Sequence, residues 1–222
     1  MGPPPVRGRG ERSSFGVRRA TVTDIVDPED RGRVPVRLAA HAGGAGSDPV
    51  LWATLCTPYA GEGQGLVVIP EVGTEVVVAF EAGDADRAYV VGSIWTGPPP
   101  LPDAPDTRND IRLLRTRSDS RLEFDDAADG PKISLTTHSG HRVVLDAAAS
   151  EVTITHSGGS SITLAASGAV EITATSVVNV EAPSVTVDAP IATFSGVLSC
   201  QTLIAREGVV SPSYTPGVGN IR

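Results

Sequence analysis

Apolar and polar positions alternate at period two along most of this chain, which predicts strands rather than helices. In "GRVPVRLAA", Val34, Val36 and Leu38 fall on one face. The same beat runs through "FGVRRATVTDIVD", "LWATLCT", "GLVVIP", "TEVVVAFEAG" and "RAYVVGSIW", separated by short turn-forming stretches. Five or six strands in about 80 residues fit a small Greek-key barrel of the OB type.

Beyond residue 110 the alternation changes texture. Thr-His-Ser-Gly occurs at 137–140 and again at 155–158, and Glu151-Val-Thr-Ile154 is answered by Ala169-Val-Glu-Ile172. "RLEFDDAADG" at 121–130 is a looser copy. A repeat near 20 residues predicts stacked pairs of short strands. After residue 172 the turns vanish. "VEAPSVTVDAP" at 180–190 states one phrase twice, seven residues apart, and Pro183 and Pro190 rule out the helix that a heptad would otherwise suggest. The prolines are placed at corners between extended segments.

These breaks predict five segments: a flexible or partner-docking leader at 1–14, a barrel at 15–97, a Pro-rich linker at 98–110, a repeat region at 111–210 and a closing segment at 211–222. A narrow strip of Val and Thr leaves two open edges, a template for aggregation. Several identical chains winding together would close them. An intertwined three-stranded β-helix, a triangular prism, puts Val178, Val180, Val185, Val187 and Ile191 in the trimer core and Glu181 and Asp188 outside. The expected fold class is therefore all-β: an OB-fold barrel followed by a trimeric β-helix.

Composition narrows the function. The net charge is −8 and aromatics are 4% of the 222 residues. Basic residues cluster only at Arg7, Arg9 and Arg12, which is not the basic face of a nucleic-acid binder. Cys56 and Cys200 are far apart, form no ligand spacing, and are expected as small buried hydrophobes. The start has arginines but no apolar h-region, and no 18-residue apolar run occurs, so neither a signal peptide nor a membrane span is expected.

The barrel segment resembles a known family. The carrying residues are the GRV-V-L strand, Trp52-Ala53 with Pro58-Tyr59-Ala60-Gly61, the stretch Gly63 to Val76, Phe80 to Asp84, and Tyr89 to Trp95. Together they resemble the OB domain of contractile-injection baseplate spikes, the phage baseplate assembly protein V group and the valine-glycine-repeat (VgrG) spikes. The resemblance covers nearly all of residues 30–97. The later repeats, with S-G-H-x-V-x-L-D at 139–146, and the ending "SYTPGVGNIR" are similar to that family's needle. It implies a homotrimeric structural spike, made in the cytoplasm and carried in a phage tail-like particle, that links the hub to the tip and crosses the target cell envelope when the sheath contracts. About 14 residues precede the barrel, so a separate baseplate hub protein is expected. The linker leaves no room for a lysozyme domain. No His follows His156, so the tip is expected to be capped by a PAAR-repeat protein rather than a His-x-His iron site. Docking of that protein falls to Tyr214, Pro216, Asn220 and Ile221.

Candidate chemistry is sparse, and no enzymatic activity, cofactor or resident metal is expected. His138 and His141 flank a Ser-Gly turn, and a three-fold axis could gather their copies around a metal; but the turn recurs with Gly159 in place of the second His, so both are read as solvent-facing. "DDAADG", with Asp125, Asp126 and Asp129, lacks the length and terminal Glu of a calcium loop. His41, Ser47 and Asp48 have no nucleophile elbow. "GEGQG" at 61–65 has no following Lys-Ser/Thr and reads as a hairpin turn. Trp52, Tyr59, Phe80 and Trp95 are expected in the barrel core or at an interface. The alternative, an OB module stacking single-stranded nucleic acid on these rings with a β-rich oligomerisation tail, lacks the basic groove it needs.

Overall fold

The computed structural model describes residues 16–39, 50–97, 101 and 105–211. The leader with Arg7, Arg9 and Arg12, the His41, Ser47 and Asp48 set, and the docking residues Tyr214, Pro216, Asn220 and Ile221 lie outside the described residues. The chain divides into two compact units, one ending at Thr173 and one beginning at Ala174.

The first unit is all-β and opens with a closed barrel. Its strands are β1 (Val17–Val22), β2 (Arg33–Leu38), β3 (Val50–Leu55), β6 (Glu75–Phe80) and β7 (Ala88–Ser93), joined in the order β1-β2-β3-β7-β6 and back to β1. All pairs are antiparallel except β3 with β7. The expected small OB-type barrel is therefore present. Period-two alternation sends Ala20 and Val22, Val34, Val36 and Leu38, Ala53, Val76, Val78 and Phe80, Ala88 and Val90 to the interior, all buried. With Phe80 the one aromatic among them, β-branched valines fill a narrow lumen, where each strand has room for short side chains.

A short hairpin, β4 (Ala60–Gly61) with β5 (Gln64–Gly65), lies between β3 and β6. It is the turn expected at "GEGQG". Gly65, at φ +155 in the left-handed half, sits where a Cβ would come within 2.8 Å of the Tyr59 carbonyl oxygen. The strand expected at "GLVVIP" does not form: only Gly65 belongs to a strand, and Val67 and Val68 are exposed. Its alternation has no neighbouring ladder to join.

From β8 to β14 the chain folds into a seven-stranded antiparallel meander: β8 (Ile111–Arg115), β9 (Arg121–Asp125), β10 (Lys132–Thr136), β11 (Arg142–Asp146), β12 (Glu151–Thr155), β13 (Ser161–Leu164) and β14 (Val170–Thr173). Each successive pair is one hairpin, the physical unit behind the sequence repeat. Arg117 in the first of these turns reaches back to Glu71 of the barrel region, 3.0 Å away.

In the second unit no described residue belongs to a strand or helix, and every residue from Thr175 to Ser211 is exposed. Cys56 and Cys200 are both exposed and unbridged, which corrects the expectation of burial. Cys56 lies just past the end of β3, where the alternation that buries Ala53 has stopped.

Candidate functional site

The register of the meander sorts its side chains into rows. One row runs Leu114, Leu122, Leu135, Val143, Ile154, Ile162 and Ile172 across all seven strands. A second, two residues away along each strand, runs Arg112, Phe124, Ile133, Leu145, Val152, Leu164 and Val170. Residues two apart on a strand face the same side, so thirteen apolar residues and one arginine share one face. The row between them is mostly polar, Glu123, Ser134, Thr153, Thr163 and Glu171 with Leu113 and Val144.

Such a face belongs in a core, yet most of its residues are exposed. Leu135 is 52% exposed, Ile154 44% and Ile172 61%. Seven strands at about 4.8 Å spacing and five residues of length give a face of roughly 500 Å² in projection. A monomer rarely leaves a contiguous apolar patch of this size open to water. Sequence reasoning placed the trimer core only in residues 178–191 and missed these two rows. Their signal was the alternation within 111–173, assigned to strands without asking which face each hairpin shares with the next.

The expected core residues of the second unit are exposed in the single chain: Val178, Val180, Val185, Val187 and Ile191 range from 55% to 81%. Among the four ring residues singled out on the barrel, Phe80 is buried, whereas Trp52, Tyr59 and Trp95 lie at the surface. The Arg33 guanidinium stacks 5.1 Å from the Trp52 ring centroid. Arg33 also forks onto Asp27, with Nε 3.0 Å and Nη2 2.8 Å from its carboxylate oxygens. The Glu29 and Arg31 amides donate to the same carboxylate. These contacts, Arg33 foremost, hold the Asp27 carboxyl well below the usual carboxylate range. Trp95 lines a hollow with Leu101, Pro105, Ile111 and Asp125.

The side chain of His141 stacks on that of His156, with ring centroids 4.4 Å apart. His138 lines a polar groove with Arg121, Glu123 and Arg142 on the hydrophilic side of the sheet. Among the described residues no three His, Cys, Asp or Glu side chains converge as a metal set. Nor, among them, is any helix long and apolar enough to cross a membrane.

Residues 18–95, the barrel, match the model of the type VI secretion system/phage-baseplate injector OB domain. The chain is 39% identical over 93 residues to the type VI secretion system spike protein VgrG4b of Pseudomonas aeruginosa, a match covering 40% of this chain and 12% of that protein. It is 29% identical over 110 residues to the type VI secretion system spike protein VgrG3 of Vibrio cholerae, covering 46% of this chain and 10% of that one. The matched segment thus spans about an eighth or less of either relative. The barrel at residues 18–95 belongs to the injector OB-domain family, and the chain that carries it is similar to the VgrG spike proteins.

Proposed function

We propose that this chain is the structural central spike of a contractile injection system, acting as a homotrimer. The observation that carries the proposal is the exposed apolar face of β8–β14, in a chain whose barrel is an injector OB domain. Three such faces turned toward a common axis bury one another and make a triangular column. The second unit, whose described residues carry no strand of their own, supports the same assembly. A chain with no ladder of its own needs backbone partners, and winding with two copies supplies them and puts Val178, Val180, Val185, Val187 and Ile191 inside. The division into an OB domain at 15–97, a linker at 98–110 and a needle at 111–210 belongs to this reading.

The function is mechanical. A column with closed edges and a close-packed interior is stiff, and stiffness is what a piercing element requires. No catalysis enters. A separate hub protein would bind above the barrels, a PAAR-repeat protein would cap the far end, and contact with the target envelope would be transient.

Light scattering on the purified chain tests the assembly, with and without mild SDS. The expected mass is three times the 22.8 kDa chain, persisting in the detergent. A monomer with intact β content overturns the proposal.

A further inference from the structure

The two turn-bearing edges of the meander carry opposite charge. Antiparallel strands place the turns within 115–121, 136–142 and 155–161 on one edge and those within 125–132, 146–151 and 164–170 on the other. The first edge holds four arginines (115, 117, 121 and 142) against Asp119, together with His138, His141 and His156. The second holds five carboxylates (Asp125, Asp126, Asp129, Asp146 and Glu151) against Lys132. Internal pairing leaves this imbalance standing: Asp119 takes both Arg115 and Arg121, Arg117 reaches Glu71, and Asp126 meets Arg112. Both edges border the same exposed apolar face.

We propose that these edges are the joint between neighbouring copies of this chain, basic edge of one against acidic edge of the next. The proposal rests on the homotrimer reading and adds what fixes its polarity. Rotation about an axis running across the strands brings unlike edges together at every joint and closes the ring, with all barrels at one end. Rotation about the strand direction would gather the three arginine edges at one end of the column and the three carboxylate edges at the other. Like-charge juxtaposition penalises that arrangement, so the charge pattern selects the co-directional column that the apolar face alone does not specify.

Sedimentation equilibrium of the whole chain at low and high salt tests this, with Arg142→Glu, Glu151→Arg and the double variant. Arg142→Gln serves as a milder change, and far-UV spectra confirm β content. With unlike edges in contact, Arg142→Glu and Glu151→Arg each raise the concentration for half-assembly by about tenfold, summed over three joints of modest pairs. The double variant returns toward the parent, Arg142→Gln falls between, and high salt narrows all the differences. Single reversals that assemble like a trimeric parent overturn the edge joint and leave the trimer standing. Reversals that strengthen assembly show like edges meeting and overturn it too. A parent that is monomeric throughout overturns the trimer reading itself, and with it this one.

Discussion

The His141 and His156 rings lie 4.4 Å apart, tilted by 31°, on adjacent turns of the basic edge. The Ser157 amide donates to Nδ1 of His141 at 3.3 Å, and the Gly158 amide donates to Nδ1 of His156 at 2.9 Å. The two rings thus tie one hairpin turn to the next. His156→Ala removes the acceptor and the stacked ring together. The expected cost is about 1 kcal/mol for the lost hydrogen bond, read by denaturant unfolding. Faster hydrogen exchange at the Gly158 amide should localise the effect.

The barrel core predicts a sharper contrast. Val36 is fully buried, whereas Val67 on the loop after β5 is 80% exposed. Val36→Ala should cost about 2 kcal/mol, from two lost carbons at about 0.8 kcal/mol each plus the cavity left behind. Val67→Ala should stay within about 0.5 kcal/mol. Thermal unfolding of both variants checks the pair. Equal effects would mean the closed barrel is not the stable core of this chain.

The barrel was legible because alternation at Val34, Val36 and Leu38 puts all three on one face, and all three are buried. "GLVVIP" misled because four apolar residues in a row look like a strand whether or not a ladder is there to receive them. The hairpin repeat was legible in period but not in register. The two Thr-His-Ser-Gly words, 18 residues apart, do not occupy equivalent turn positions. Pairing of Thr136 with Arg142 and of Thr155 with Ser161 makes Thr137 the counterpart of His156, and Gly140 the counterpart of Gly159. Both glycines hold a positive φ, 88° and 94°, and that backbone demand, not the repeated word, sets the frame. The apolar face escaped notice because it is a property of seven strands in register, and no single hairpin displays it.

Asp27 gives the barrel a predictable acid response. Its folded-state pKa is depressed, with Arg33 the main cause and the Glu29, Arg31 and Arg33 amides assisting. An unfolded aspartate titrates near 3.9. The stabilisation is therefore complete above about pH 4 and declines as pH falls from there toward the folded value. Asp27→Asn should lower the Tm by several degrees at pH 7. The gap to the parent should narrow steadily below about pH 4. A gap that stays constant from pH 7 to pH 2 would remove Asp27 as its source. Arg33→Lys should also lower the Tm, since an ammonium cannot reproduce the two-pronged contact or the stacking on Trp52.

The central prediction separates the two faces of the meander. Ile154 stands opposite Val143 and Ile162 in the middle of the apolar row, and Thr163 sits on the other face beside Thr153 and Glu171. In the lone chain Ile154 is 44% exposed, so Ile154→Asp disturbs the monomer little. In a three-sheet column the same change buries three carboxylates around one axis, at several kcal/mol each. Trimer formation should be lost while the barrel still unfolds at its parent temperature. Thr163→Lys, facing Glu171 across the strand pair, should assemble like the parent. Val185→Asp and Val187→Asp extend the comparison to the second unit, where they are also expected to abolish the trimer. If they do so while Ile154→Asp does not, the wound segment alone holds the copies together, and the sheet face has some other cover. If Ile154→Asp does so while they do not, the meander is the assembly surface, and the inward placement of the later valines fails. Native mass spectrometry of the four variants distinguishes these outcomes directly.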